Sequence, residues 1–229
     1  MRKSSRARSE STTRPPVSKT RQPTTTAEAG ADPAPGGGGI GESLRGYEIL
    51  FCVTGGIAAF KAAALVSALV QRGCGVTVAM TRSARRFVTA TTFRALSGRP
   101  VHTSLWPNAT SGEIQHLKLS ENADLLVVAP ATANIIGKLA GGIADELVSS
   151  LLLGADCPVM LAPAMNERMW RHAAVQRNVQ FLRDNGFQFV GPNTGWQACR
   201  AVGPGRMSEP DELLTEITVR LLRNPPRSR

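Results

Sequence analysis

A doubly wound α/β fold, with a parallel sheet between two layers of helices, is what this sequence predicts, and three observations carry the prediction. Short, continuously apolar runs recur along the chain, at 49–53, 76–80, 125–129 and 158–162. Stretches with helical spacing of apolar residues lie between them, and turn residues close the runs on their C-terminal sides. Parallel strands need long crossovers, which lay helices over both faces of the sheet, so such strands run apolar without alternation. With 229 residues and 42% hydrophobic content, the chain can bury one good core and is too short for two full α/β domains.

The elements follow in order. Ile49-Leu50-Phe51-Cys52-Val53 ends at Thr54-Gly55-Gly56, a strand buried on both faces followed by a tight turn. Ala58, Ala62, Leu65, Val66 and Leu69 recur at helical spacing, and Gly73 follows where a C-terminal glycine belongs. Val76-Thr77-Val78-Ala79-Met80 is the second strand. Leu125–Ala129 and Pro158–Ala162 repeat the design, with helical stretches after the first at about 134–139 and 145–153. Phe187-Gln188-Phe189-Val190 is expected as the last strand. Ser208-Glu209-Pro210-Asp211 reads as a helix start, with Ser208 as N-cap, opening an amphipathic helix through Leu222.

Residues 1–46 are rich in Ser, Thr, Pro and Gly and cannot bury enough apolar surface to offset chain entropy, so disorder is expected there. A folded domain is expected over 47–222 and a basic tail over 223–229. The formal net charge of +10 sits mostly at the ends. Residues 1–46 hold eight Lys or Arg against four acids, and 220–229 hold four Arg and no acid, leaving 15 basic and 13 acidic residues at 47–219. Positive charge in aromatic-free tails points to loose electrostatic attraction and not to a specific nucleic-acid partner. Cys52, Cys74, Cys157 and Cys199 are dispersed, with no C-x-x-C pair and no His at ligand spacing, so no metal site and no disulfide framework is expected. A reducing cytoplasm is the expected location. No membrane span is expected, since no apolar run reaches the required length of about 18 residues. Residues 1–46 also lack the apolar segment of a secretory signal, and Glu10, Glu28 and Asp32 interrupt a transit-peptide pattern.

In such a sheet the strand-to-helix turns share one edge and line one crevice. Thr54-Gly55-Gly56-Ile57-Ala58 places small residues at a helix N-terminus, where unpaired N–H groups and the helix dipole favour an anion such as phosphate. A tight turn alone would explain the same glycines. The segment lacks both the G-x-G-x-x-G spacing of dinucleotide sites and the Gly-Lys-Ser/Thr ending of a P-loop. Thr81 and Ser83 offer hydroxyls to the same anion, or cap the next helix. Thr132-Ala133-Asn134 and Ala164-Met165-Asn166 bring an amide to the ends of two further strands, as ligand contacts or as helix caps. Met165, Met169 and Trp170 are walls of a site or ordinary core residues.

Taken together, these segments resemble the homo-oligomeric flavin-containing cysteine decarboxylases. The resemblance covers about residues 47–218 and rests on Gly55 to Lys61, Pro130 to Asn134, His116-Leu117-Lys118-Leu119, Pro163 to Trp170, Ala198-Cys199 and Gly203 to Pro210. Ile135 stands where a Thr is common in the family, and Arg200 where a Gly often follows the Cys. The resemblance implies a Rossmann-like flavoprotein fold and FMN as cofactor. It implies FMN-dependent decarboxylation of 4′-phosphopantothenoylcysteine to 4′-phosphopantetheine in coenzyme A biosynthesis. An N-acylated cysteine has no free amine for a pyridoxal imine, so the electron pair left by CO2 needs another sink. Oxidised FMN is implied to take a hydride equivalent from the thiol-bearing carbon and return it after decarboxylation. By position, His116 is implied as base or electrostatic partner, Asn166 as the substrate carboxylate or amide contact, and Cys199 as proton donor on a glycine-rich, mobile flap. Gly55, Gly56, Ile57, Ala58, Thr81, Ser83, Thr132, Ala133, Asn134 and Met165 are implied to hold FMN, and Asn134, Ala164, Met165, Asn166 and Met169 the substrate.

A peptidyl-cysteine decarboxylase would share the flavin and the His but would not need Cys199, and a flavin-binding regulatory subunit would need neither for turnover. The family also implies a homotrimer or a multiple of trimers. After Leu222 the chain ends in Arg223-Asn224-Pro225-Pro226-Arg227, so the ligase fused to many bacterial relatives is expected as a separate protein.

Overall fold

The structure is a computed structural model that describes residues 43–106 and 119–228. Its sheet has the strand order β3-β2-β1-β4-β5-β6, all neighbours parallel. The strands are β1 (Glu48–Val53), β2 (Gly75–Met80), β3 (Val101–His102), β4 (Leu125–Ala131), β5 (Val159–Pro163) and β6 (Gln188–Phe189). The helices are α1 (Ala59–Gln71), α2 (Ala90–Ser97), α3 (Ala133–Ala140), α4 (Leu147–Leu153), α5 (Glu167–Arg171), α6 (Ala173–Asp184) and α7 (Pro210–Leu221). The apolar runs at 49–53, 76–80, 125–129 and 158–162 therefore became the four central strands. The elements α2, β3, α5 and α6 lie outside the expected set, and the strand expected as the last, at 187–190, is β6 over Gln188–Phe189, with two further strands after it.

Alternation along β1 shows the three layers. Ile49, Phe51 and Val53 point into one core with Leu65, Val66 and Leu69 of α1 and Leu213 and Ile217 of α7. Leu50 and Cys52 point into the other, with Ile136, Val148, Leu151 and Val179 from the opposite helical layer. Two dry cores back to back are why the central strands are almost wholly apolar on both faces. Gly73 does end α1 as expected. It takes φ +85°, its N–H bonds to Val70 O at 2.9 Å, and Cys74 N bonds to Leu69 O at 3.2 Å, the paired arrangement that closes a helix on a left-handed glycine.

Two expectations differ from the structure. Ser208 is not the N-cap of α7; Glu209 is, because Pro210 occupies the first helical position and fixes the cap one residue earlier. Ser208 is instead buried, with its Oγ donating to Asn193 Oδ1 at 3.2 Å. The second difference concerns the glycine-rich segment expected as a mobile flap after the last strand. It is an antiparallel hairpin of β7 (Asn193–Trp196) and β8 (Val202–Arg206). Its glycines serve close approach: a Cβ on Gly203 would strike Glu167 Oε2, and one on Gly205 would strike Met165 O.

At the chain ends, Leu44 is fully buried and its N–H bonds to Arg72 O at 2.9 Å. The residues after α7 fold back onto the domain, with Tyr47 Oη donating to Asn224 O at 2.8 Å and Arg227 N to Asp124 Oδ1 at 2.8 Å. The disorder expected for 1–46 does not hold at 43–46, where Leu44 is packed into the domain, and residues 1–42 lie outside the described ones.

Candidate functional site

The strand order reverses between β1 and β4: from β1 the chain builds outward through β2 and β3, and from β4 outward through β5 and β6. A crevice must open beyond the C-terminal ends of two such strands, since their crossovers leave in opposite directions. It is present as a cavity of about 1040 Å³. Hydrogen bonds to main-chain carbonyls knit its rim. Thr81 N donates to Val53 O at 3.1 Å, Thr54 Oγ1 to Pro130 O at 2.6 Å, Ala164 N to Ala131 O at 3.0 Å, and Met165 N to Gly205 O at 2.9 Å. The four turns and the hairpin are thus fixed to one another across the switch point.

Gly55, Gly56, Ile57, Ala58, Thr81, Ser83, Thr132, Ala133, Asn134, Ala164, Met165, Asn166, Met169 and Cys199 all line this cavity. His116 lies outside the described residues. Trp170 does not line the cavity; it packs against the second core, because on the short α5 it falls on the face opposite Met169.

The α1 end of the cavity is built to take an anion. Ala58 provides no side-chain cap, the first turn carries no acid, and α1 is 13 residues long, so the dipole end is uncompensated. The N–H groups of Gly56, Ile57 and Ala58 have no partner among the described residues, whereas Ala59 N already bonds to Gly56 O at 3.0 Å. Orphan donors at a helix start need an external acceptor. A Cβ on Gly56 would protrude into the cavity with only Thr132 Cγ2 and Pro130 Cγ near it, at 3.7 and 4.0 Å, while one on Gly55 would collide with Ser83. Gly55 is therefore required by close approach, while a Cβ at Gly56 would make only ordinary contacts and take up cavity space. Ser83 is the N-cap of the 3-10 turn 84–86 but makes no side-chain cap bond, and it is Thr81 Oγ1 that accepts from Ala84 N at 3.1 Å.

The amides resolve differently. Thr132 caps α3, accepting from Ile135 N at 3.4 Å, so Asn134 is released from that duty and its side chain is exposed on the cavity wall. Asn166 does cap α5, with Oδ1 accepting from Met169 N at 2.9 Å. Because the cap requires an acceptor, it fixes the amide oxygen on the backbone and leaves the Nδ2 donors as the free part.

Cys199 sits in the turn of the β7–β8 hairpin, and it alone among the four free thiols is exposed. Burial drives the Cys52 thiol far up and the Cys157 thiol up to about 11, so both are inert at neutral pH. Gln197 supports Cys199 and was not foreshadowed by any motif. Its amide is buried: Oε1 accepts from Glu167 N at 3.1 Å and from Cys199 Sγ at 3.5 Å, and Nε2 donates to Gly203 O at 3.2 Å and Pro204 O at 2.9 Å. The only advance signal is its spacing, two residues before Cys199. Lys61 and Arg206 also reach the cavity, both bonded to Glu209, and the Lys61 contact first of all holds that carboxyl below its usual range.

A doubly wound sheet with an anion cradle and amide-lined cleft at its switch point defines a nucleotide-type cofactor-binding α/β protein. More particularly, the chain belongs to the Flavoprotein family, whose sequence profile matches residues 40–222. The coenzyme A biosynthesis bifunctional protein CoaBC of Bacillus subtilis (strain 168) is 48% identical over 171 residues, covering 75% of this chain and 42% of that protein. Its counterpart in Escherichia coli (strain K12) is 45% identical over 168 residues, covering 73% and 41%. The chain thus spans less than half the length of these curated relatives. Among solved structures, the FMN-dependent cysteine decarboxylase SpaF matches with TM-score 0.69 and 31% identity, over 79% of this chain and 98% of that one. A cysteine-to-serine mutant of PPC decarboxylase complexed with pantothenoylaminoethenethiol matches with TM-score 0.69 and 27% identity, over 76% and 98%.

Proposed function

We propose that the crevice binds FMN and that the protein decarboxylates 4′-phosphopantothenoylcysteine to 4′-phosphopantetheine, a step of coenzyme A biosynthesis. The observation that carries this is the position of Cys199, held by Gln197 over the same cavity that Asn134 and Asn166 line. A peptidyl-cysteine decarboxylase that releases an unreduced enethiol has no use for a proton donor there.

The residues present fit FMN. The orphan N–H groups at 56–58 and the free Ser83 hydroxyl suit its phosphate, and the wall from Thr132 to Asn134 with Met165 suits its ring system. When bound, FMN supplies a reversible two-electron sink beside the thiol-bearing carbon. Asn166, with its oxygen committed to Met169 N, presents Nδ2 donors to the substrate carboxylate and fixes the bond to be broken. Asn134 is proposed to hold the substrate amide, and Ala164, Met165 and Met169 its apolar stem. His116 is proposed as the base that takes the thiol proton. Cys199 is proposed to deliver a proton to carbon after CO2 has left, with the hairpin excluding water from that step.

The cavity mouth carries exposed Ile57, Phe60 and Trp196, at 59%, 61% and 62% exposure. Such a rim supports assembly of copies of this chain around the site, and a homotrimer or a multiple of trimers is proposed. A ligase that joins cysteine to the phosphorylated acid must act before this enzyme, to make the amide it consumes. No helix among the described residues is long and apolar enough to cross a membrane. Four free thiols suit a reducing compartment, and the cytoplasm is the proposed one.

The test is an assay of the FMN-loaded protein with 4′-phosphopantothenoylcysteine. The wild type is expected to release CO2 and form the saturated thiol, while Cys199→Ser is expected to release CO2 and accumulate the oxidised enethiol. A wild type that releases no CO2 would sink the function, and a Cys199→Ser variant that makes the saturated thiol would remove Cys199 from the mechanism.

A further inference from the structure

The 3-10 turn after β2 has a hollow of its own, about 400 Å³, lined by Arg82, Ser83, Arg85 and Arg86. Ser83 also lines the main crevice, so the two spaces meet at one side chain. Four other arginines of the domain are paired with acids: Arg99 with Glu48, Arg171 with Glu167, Arg206 with Glu209, Arg227 with Asp156. Arg82, Arg85 and Arg86 have neither an acid nor a hydrogen-bond acceptor among the described residues, and Ser83 Oγ is equally free. Three uncompensated cations within five residues repel one another, and the repulsion is relieved by a multiply charged anion. Planar guanidinium forks match the oxygens of phosphate in pairs, and a serine hydroxyl adds a donor.

We propose that Arg82, Arg85 and Arg86, with Ser83, form a binding site for a phosphate monoester beside the crevice. This rests on the proposed function, in which two ligands bear that group: FMN through its ribityl chain and the substrate through its 4′-phosphate. Ser83 lies against Gly55, the residue that precedes the orphan N–H groups at 56–58, since a Cβ on Gly55 would meet it. The arginines therefore either flank a monoester already seated on the backbone donors or seat a second one.

The experiment compares wild type with Arg82→Gln/Arg85→Gln/Arg86→Gln. Arg94→Gln, which changes an exposed arginine outside the hollow, serves as a control. One arm titrates each protein with FMN and with riboflavin by flavin fluorescence. The other measures kcat/KM on 4′-phosphopantothenoylcysteine and on its dephosphorylated analogue. Loss of two charge-assisted contacts should cost about tenfold or more. If the site holds the cofactor phosphate, the triple variant loses that factor for FMN and not for riboflavin. If it holds the substrate phosphate, the ratio of kcat/KM for the phosphorylated over the dephosphorylated substrate falls by that factor while the FMN titration is unchanged. Unchanged ratios in both arms, or equal losses in Arg94→Gln, overturn the site. Should the wild type turn over neither substrate, the function fails, and the flavin titrations still decide whether the arginines hold a cofactor phosphate.

Discussion

Arg200 sits in the left-handed region at φ 64°, alone among the described non-glycine residues. It follows Cys199 directly in the hairpin turn, at the position where a glycine is common in the family. The turn is closed by two bonds, Arg200 N to Gln197 O and Gln197 N to Ala201 O, both 2.9 Å. A side chain in this conformation costs about 1–2 kcal/mol through its Cβ contact with the following carbonyl. A glycine would escape that cost but would add freedom to the open chain worth about 0.4–1 kcal/mol. The left-handed term is larger, so Arg200→Gly should stabilise the closed turn by about 0.5–1 kcal/mol. Amide exchange at positions 197 and 200 should then slow by about two- to fivefold, as local opening becomes rarer. Arg200→Ala separates backbone from charge: it discards the guanidinium and keeps the Cβ, so its exchange should stay near wild type. Alkylation of Cys199 should follow the same order if turn opening exposes the thiol further. Faster exchange in Arg200→Gly, or equal slowing in Arg200→Ala, would refute the backbone account.

Three further outcomes are expected. Gln197→Ala strands the Glu167 N–H and the Gly203 and Pro204 carbonyls; each buried orphan costs about 1–3 kcal/mol, so Cys199 should alkylate faster and the hairpin amides lose protection, and unaltered protection would remove Gln197 as the staple. Gly55→Ala drives a Cβ into Ser83, an overpacking cost of about 1–3 kcal/mol, and should weaken FMN by fluorescence titration with little change in α1 helicity by circular dichroism; undiminished FMN affinity counts against the cradle. His102, in β3, has its imidazole held below the ordinary 6.5 by burial, so the unfolded chain binds the extra proton first. The stabilising contribution is complete above 6.5 and is lost as pH falls from there through the lower folded value. His102→Gln should flatten the fall in Tm over that window, and an unchanged slope would clear His102.

The central strands were legible because their physics is local and redundant. Ile49 to Val53 and Leu125 to Ala129 are buried on both faces, and such a run has no other stable place in a chain of this size. The glycine turns were legible as turns, though not as close contacts, since collision with Ser83 depends on a residue about 28 positions away. The hairpin was not legible. Asn193-Thr194-Gly195-Trp196 and Val202-Gly203-Pro204-Gly205-Arg206 lack the alternation of an ordinary sheet. Gly203 and Gly205 answer to Glu167 and Met165, on the segment from β5 into α5. Composition alone makes such a segment look like a loop. Asn134 and Asn166 show the same boundary: type and position mark both as polar groups at strand ends, but only the fold reveals that Thr132 relieves one of capping and that the other caps and still has donors to spare.

That division has a consequence for how the site tolerates change. On the β1 and β2 side the crevice is lined by backbone donors and small residues, so identity matters there through what must be absent: a Cβ at 55. On the β4 and β5 side it is lined by amides whose orientation is set by helix caps, so identity matters through which atom is left free. Asn166→Asp would keep an acceptor for Met169 N and so preserve α5, yet it replaces two donors with a carboxylate facing the proposed substrate carboxylate. Asn166→Ser would also cap α5 but reach less far. Stability should therefore survive both changes while turnover does not, with Asp the worse of the two. A variant that lost both together would mean that Asn166 acts through α5 and makes no contact of its own with the substrate.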